Sequence, residues 1–312
     1  MRRFCTLYII IFWVLNSFGQ EFGTHWISCP AANDSSQVLF YGSYDWETVP
    51  QRAFLSFAST GMVKVYANER NVSGDIFFAN GNAGMVEVHT FDVTRYLKQG
   101  TNSFAVWYAP RRDMPVGKQL SLQLYGTGQD GKPFFEIADK AWRCSMPDGC
   151  LSYAGSTEMD SIAETFSNAE FDSQWKSEDY DHTKWQSACV WYGGEGRNLS
   201  TILPQFPRDE RKLKTILLPV AEYEDSVGVH YGFARPFHGV VRLTLRGAER
   251  GEHIVADGMS YVCSGEMDEQ LFRRFTTDEV YWITVSGDGS FRKSQIQKVE
   301  GLEIGGSTLS RY

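Results

Sequence analysis

The chain has 312 residues and a formal net charge of −8, with 42% hydrophobic and 22% charged residues. This composition is typical of a globular protein, and the length suits two domains at roughly 100–200 residues per domain. A negative surface argues against nucleic acid, whose phosphates bind Lys and Arg, and against anionic membrane surfaces.

The first 20 residues have the pattern of a signal peptide. Arg2 and Arg3 precede an apolar run over 7–15, and Ser17 and Gly19 supply small residues for cleavage. The run is shorter than the roughly 20 residues that span a bilayer. We therefore expect export to the periplasm or the extracellular space, no membrane insertion, and a mature chain with a net charge of −10.

Short β-branched and aromatic runs alternate with turn residues along the rest of the chain. They lie at 37–41, 53–58, 63–68, 85–91, 102–108, 120–125, 240–246, 253–257, 279–286 and 299–304. Residues 92–97 can form one helical turn, and 168–185 is acidic and irregular. The pattern predicts an all-β protein of sandwich type.

The predicted organisation is two β-sandwich modules behind the signal peptide. The first covers 21–200 and the second covers 213–312. Between them, 201–212 reads as a linker, because Pro204 and Pro207 cannot donate ladder hydrogen bonds and a charge run follows.

Export leaves five cysteines, which makes at least one unpaired. They are Cys29, Cys144, Cys150, Cys189 and Cys263. Cys144 and Cys150 flank a Pro-Asp-Gly turn, and an oxidising compartment permits a disulfide there. We predict that this pair is bonded and that Cys189 joins neither; the cysteines and histidines lack zinc-site spacing.

Two segments carry a family resemblance. ASTGMVKVYANERNVSGD (58–75) and HTFDVTRYLKQGTNSFAVWY (89–108) resemble the N-terminal sandwich of bacterial alpha-L-rhamnosidases, a galactose-binding-like or jelly-roll fold. Asn68 would turn the hairpin, although Glu69 stands where the family has Gly. Asp92 and Thr94 would cap a helical turn, and Gly100 would reverse the chain. These are scaffold residues and predict fold more than site.

The resemblance continues in the same order over roughly 50–305. DKAW (139–142), AETF (163–166) and YDHTKW (180–185) follow the family's run, and residues 236–268 resemble its next module. Glu164 matches the acid of that run. Ser167, Asn168 and Ala169 replace the family's Asp-Ala-Arg, so this chain lacks that Arg and any pairing it makes.

In the resembled family an (α/α) barrel with the catalytic acids follows these modules, and the sequence here predicts no such helical region. The resemblance therefore implies an accessory protein without catalytic residues that binds a polysaccharide, with a rhamnose-containing glycan as one candidate. The alternatives are a glycoside hydrolase or truncated rhamnosidase, and a structural or assembly module. Hydrolysis would need two facing carboxylates, and the acid-rich candidates are Glu266, Asp268, Glu269, Glu158 and Asp160.

Six residues are candidates for carbohydrate binding. Four lie in the loop GDIFFANGNAG (74–84), and the full set is Asp75, Phe78, Asn80, Asn82, Trp107 and Glu164. Asn and Asp can bond sugar hydroxyls while aromatic rings stack on the sugar. The alternatives are that the loop is a simple turn, that Trp107 faces the core, and that Glu164 braces a loop.

The expected partners follow from this assignment. They are carbohydrate and other polysaccharide-utilisation proteins, with no nucleic acid. The sequence carries no cofactor motif. A calcium ion beside Asp75 is possible because oxygen ligands suit it.

Overall fold

The computed structural model describes residues 25–72, 86–111, 119–153, 162–191, 202–203 and 212–305. Over these residues the regular structure is β-strand, apart from 3-10 turns at Thr94–Tyr96, Ser173–Lys176 and Lys293–Gln295. No helix in the described ranges is long and apolar enough to cross a bilayer. The all-β prediction is confirmed.

The strands are short and follow one another closely along the chain. In the first part they are β1 Trp26–Ser28, β2 Val38–Trp46, β3 Arg52–Ser59, β4 Met62–Ala67, β5 Arg70–Asn71, β6 Val86–Glu87, β7 His89–Asp92, β8 Gly100–Ala109 and β9 Gln119–Thr127. Next come β10 Pro133–Ile137, β11 Arg143–Ser145, β12 Gly149–Tyr153, β13 Ile162–Ser167, β14 Gln186–Ser187, β15 Cys189–Trp191 and β16 Ile202–Leu203. The last are β17 Lys212–Leu217, β18 Ala221–Glu224, β19 Val229–Leu245, β20 His253–Ala256, β21 Met259–Val262, β22 Glu269–Leu271, β23 Asp278–Gly287 and β24 Ile296–Gly305.

The strands form three large sheets and one small one. The first sheet has the order β15-β1-β9-β3-β7, with β10 beside β9, and the second has β14-β11-β2-β8-β4-β5. The third has β12-β13-β21-β20-β23-β19-β24-β17, with β18 and β22 also paired to β19. Strands β6 and β16 form a two-stranded parallel pair. Pairing within the large sheets is antiparallel except between β13 and β21.

The second sheet is the middle layer of three, since both of its faces are buried. On β8, Phe104 and Val106 belong to the core shared with the first sheet, whereas Ala105 and Trp107 belong to the core shared with the third. Alternate residues of a strand point to opposite faces, so a strand covered on both sides must be apolar throughout. The sequence FAVWYA of β8 meets that requirement, and all six residues are buried.

The third sheet draws strands from both sides of the predicted linker. Strands β12 and β13 lie within 21–200, yet β13 pairs in parallel with β21 of the second predicted module. Of the linker itself, 201 and 204–211 lie outside the described residues. The division into 21–200 and 213–312 therefore stays a prediction.

The predicted Cys144–Cys150 disulfide is absent, because the two thiols lie in different sheets. Cys144 is a free thiol in β11, opposite Phe40 of the second sheet. Cys150 is a free thiol in β12 of the third sheet, 2.9 Å from the Thr165 hydroxyl. The Pro-Asp-Gly turn carries the chain between sheets instead of folding it back as a hairpin, and this corrects the sequence-based pairing. Cys189 is also a free, exposed thiol.

Candidate functional site

The predicted loop site falls largely outside the described part of the chain. Asp75, Phe78, Asn80 and Asn82, and with them the calcium position suggested beside Asp75, are not among the described residues. Within the described ranges, no group of three or more His, Cys, Asp or Glu side chains is placed to hold a metal ion. The loop and its calcium stay predictions.

Trp107 is a buried residue between the second and third sheets. It is 5% exposed, and its indole nitrogen donates to Gln37 Oε1 at 2.7 Å. The rings of Phe166, Phe171 and Phe275 have centroids 5.3–5.6 Å from its own. Trp107 therefore packs the two sheets together. This is the core-facing position predicted from the sequence as the alternative to carbohydrate binding.

Glu164 is fully buried in β13 and braces the segment that follows β22. Its carboxylate accepts hydrogen bonds from the backbone nitrogens of Arg274 at 2.8 Å and Phe275 at 3.2 Å, and from the Thr276 hydroxyl at 3.2 Å. Three donors satisfy the buried charge and fix the turn. The structure thus places Glu164 in the bracing role.

The acid-rich candidates for hydrolysis are engaged in local structure. Glu269 is 4% exposed and accepts from the Tyr261 hydroxyl and the Ser264 backbone nitrogen, both at 2.7 Å. Asp268 is held by the Arg246 guanidinium through two bonds of 2.7–2.8 Å. Glu266 is exposed, and Glu158 and Asp160 lie outside the described ranges.

An exposed aromatic surface, which no sequence motif indicated, lies on the third sheet. We call it the aromatic platform, and it consists of Tyr223 on β18, His230 on β19, and Tyr281 and Trp282 on β23. Its three large side chains are about half exposed: Tyr223 to 51%, Tyr281 to 48% and Trp282 to 46%. Three exposed aromatic rings in contact are a surface feature that stability alone does not require.

Strand register brings the platform residues onto one area of the sheet. Tyr223 pairs with His230, and His230 pairs with Thr284 on the next strand. The rings of Tyr223 and His230 stack at 4.4 Å with an interplanar angle of 17°, and Tyr223 lies 5.8 Å from Trp282.

A glycine sets the position of Trp282. Gly232 is the cross-strand partner of Trp282, and a Cβ at Gly232 would lie 2.6 Å from its ring atoms. The indole therefore lies directly over the Gly232 backbone. One of its faces is supported by the sheet, and the side chain is still almost half exposed.

A polar edge adjoins the stacked rings. The His230 imidazole bridges the Asp225 carboxylate and the Thr284 hydroxyl, each at 2.9 Å. The hydrogen bond with His230 holds the pKa of Asp225 below its ordinary 3.8, so this carboxylate is charged at neutral pH. Flat apolar faces beside a fixed polar group can stack on a sugar ring and bond its hydroxyls.

A shallow cleft begins on the strand that carries Tyr223. Its volume is about 430 Å³. Its walls combine apolar and polar groups and come from β18, β19, β24 and the segment before β18; they are Leu218, Pro219, Val220, Ala221, Glu222, Tyr231, Ile296, Gln297, Lys298 and Val299. Glu222 and Tyr223 are adjacent, so the cleft and the aromatic platform share β18.

Sequence reasoning missed the platform because its members are far apart in the chain. Tyr223 and Trp282 meet only through the β18–β19–β23 register. Two local signals were present. AEYE-DSVG-VHYG (221–232) has the form of a hairpin with Asp225 bonding the Val227 nitrogen in its turn, and Tyr281-Trp282 is an adjacent aromatic pair.

Comparison with known proteins identifies similar folds but no related family by sequence. No protein-family model and no curated protein matches the chain. Three solved alpha-L-rhamnosidases have similar structures. The enzyme from Dictyoglumus thermophilum has a TM-score of 0.77 at 16% identity, over 92% of this chain and 36% of that one.

Two further rhamnosidases give the same result. The Aspergillus terreus enzyme has a TM-score of 0.74 at 14% identity, over 91% of this chain and 36% of that one. The Streptomyces avermitilis enzyme, solved with L-rhamnose, has a TM-score of 0.72 at 19% identity, over 88% of this chain and 29% of that one. The chain thus spans about a third of these enzymes, and the predicted resemblance to alpha-L-rhamnosidase modules is confirmed at the level of the fold.

Proposed function

We propose that this protein is an exported, non-catalytic module that binds carbohydrate on its third sheet. The observation that carries the proposal is the aromatic platform, in which Tyr223 and Trp282 present half-exposed rings beside a charged polar edge. The rhamnosidase-like fold supports a role in handling glycans, and a rhamnose-containing glycan is the first ligand to test. Other polysaccharide-utilisation proteins would be its partners.

Binding to this surface should be weak. A sugar offers many hydroxyls and little apolar area to an open platform, so we expect dissociation constants on the order of micromolar to millimolar. Aromatic stacking would supply much of the binding free energy, and Asp225 would orient the ring by accepting hydroxyl hydrogen bonds.

A glycan array followed by titration calorimetry tests the proposal. Trp282→Ala and Tyr223→Ala should reduce affinity at least about tenfold. Phe135→Ala is the matched control, since Phe135 is 49% exposed but lies on β10 of the first sheet. Equal losses in all three variants, or none in the platform variants, would exclude the platform as the site.

The loop predicted from sequence can be tested in the same experiment. Asn80→Ala and Asn82→Ala should weaken binding only if loop 74–84 takes part. The non-catalytic assignment has its own test, which is incubation with rhamnosides. Release of reducing sugar that a single carboxylate substitution abolishes would show an enzyme.

A further inference from the structure

A second surface, distinct from the platform, gathers three cations between the second and third sheets. Lys64 lies on β4, Lys176 ends the 3-10 turn Ser173–Lys176, and Arg274 lies between β22 and β23. We call these three residues the cationic cluster. Each is half-buried, so each side chain still reaches solvent.

Aromatic rings surround the cationic cluster. Lys64 Nζ lies 5.2 Å from the Phe275 ring and 5.9 Å from the Trp107 ring. The Arg274 guanidinium lies 5.4 Å from the same Trp107 ring, which places the two cations around one indole. Lys176 Nζ lies 4.9 Å from the ring of Tyr66, which follows Lys64 on the same face of β4.

The three charges repel one another in a poorly hydrated space. Burial and the neighbouring Arg274 lower the pKa of Lys64 to about 7. Burial also lowers the pKa of Lys176, and Arg274 again contributes to the lowering. Three described acids face the cluster: Glu164, Glu69 and Glu269. Glu164 is already bonded to three donors of 274–276, and Glu269 accepts from the Tyr261 hydroxyl and the Ser264 nitrogen.

One polar atom of the cluster lacks an acceptor. Arg274 Nε is buried and has no hydrogen-bond partner among the described residues, although the guanidinium lies 4.3 Å over the Phe166 ring. A buried donor without an acceptor costs free energy. A carboxylate is the planar anion that guanidinium binds best, through two parallel hydrogen bonds.

We propose that the cationic cluster binds the carboxylate of an acidic sugar, a uronate, with Tyr66 packing on the sugar ring. This inference rests on the proposed carbohydrate-binding function and specifies a ligand class for it. The site is separate from the aromatic platform, which would take neutral parts of the same glycan.

The test compares one oligosaccharide in two chemical forms. The protein is titrated with an oligogalacturonate and with its carboxyl-reduced form, in which each carboxylate has become a hydroxymethyl group. We expect the acidic form to bind at least about tenfold tighter, with affinity that falls as salt is raised.

Arg274→Met is the informative variant, because its backbone nitrogen can still donate to Glu164. It should remove the preference for the acidic form, and Lys64→Met should reduce it if Arg274→Met fails to fold. Arg250→Met is the matched control, as Arg250 is an exposed arginine paired with Glu170 at 2.6 Å. It should keep the preference.

Several results would overturn the inference. One is equal affinity for both forms while Trp282→Ala still weakens binding, which would leave the carbohydrate-binding function intact. A second is tighter binding of a sulfated oligosaccharide than of the uronate, which would assign a different anion. Absence of binding by any saccharide would overturn the proposed function together with this inference.

Discussion

Replacing Glu164 by Ala tests whether this residue braces the fold or contacts ligand. The substitution removes one buried acceptor group from three donors at 2.8–3.2 Å, the nitrogens of Arg274 and Phe275 and the Thr276 hydroxyl. A buried donor left without a partner costs about 1–3 kcal/mol, so the loss for three donors should be about 3–9 kcal/mol. Glu164 also offsets the charge of nearby Lys64, which adds to the loss. The total free energy of unfolding of a natural protein is only about 5–15 kcal/mol, so this loss would be a large part of it.

Urea unfolding followed by fluorescence measures this change as a shift of the midpoint at constant slope. Glu164→Gln should lose less, since one amide oxygen can still accept. Glu170→Ala is the matched control, because that carboxylate is 82% exposed and pairs with Arg250 at the surface; the substitution should change the free energy of unfolding little. A Glu164→Ala protein with wild-type stability and lost sugar binding would refute the bracing role.

Three further predictions follow from the described contacts. Gly42→Ala, on β2, should lower the free energy of unfolding in urea by about 1–3 kcal/mol, because a Cβ there would overlap the buried Trp142 ring. In the native protein a thiol reagent should modify Cys189 first, since it is the exposed cysteine of the described ranges; mass spectrometry of labelled peptides checks this, and equal labelling of the buried thiols would contradict it. Hydrogen bonding to Lys298 at 2.6 Å, aided by a neighbouring arginine, holds the pKa of Glu300 below 4.5. Its stabilisation is present above about pH 4.5 and is lost as pH falls through the lowered folded value, so Glu300→Gln should flatten melting temperature against pH in the acid range.

The local scaffold was predictable because short-range chemistry fixes it. Asn68 and Glu69 both have left-handed φ angles, 45° and 67°, in the expected hairpin, and Asn68 Nδ2 donates to Asn102 at 2.8 Å. Asp92 ends β7 and accepts from the Thr94 nitrogen at 3.0 Å, although the N-cap of the turn Thr94–Tyr96 is Val93 and not Asp92. Gly100 has φ 86° at the expected chain reversal. Apart from the Asn68–Asn102 hydrogen bond, which joins residues 34 positions apart, each of these features depends on residues within a few positions or on turn preference.

The disulfide prediction failed because sequence separation and turn type do not show which sheet the chain enters next. A Pro-Asp-Gly turn reverses a chain within one hairpin, but the same residues can also pass a chain from one layer to another. Cys144 is instead hydrogen-bonded to the Cys29 thiol, and this contact and its burial raise its pKa. Cys29 follows β1 in the first sheet, more than a hundred residues away in sequence, and nothing local signals that approach.

The three-layer arrangement makes the two proposed binding surfaces depend on different parts of the chain. Lys64 and Trp107 lie on the face of the second sheet that the third sheet covers, and β13 carries Glu164 into the third sheet from the N-terminal side of 201–212. A chain divided at 201–212 would take β12 and β13 away from β21 and expose the apolar face that includes Trp107. The cationic cluster would then lose Arg274 from one half and Lys64 and Lys176 from the other. The aromatic platform, built only from β18, β19 and β23, would keep its members, so the acidic-sugar preference should depend on both halves while stacking depends on one.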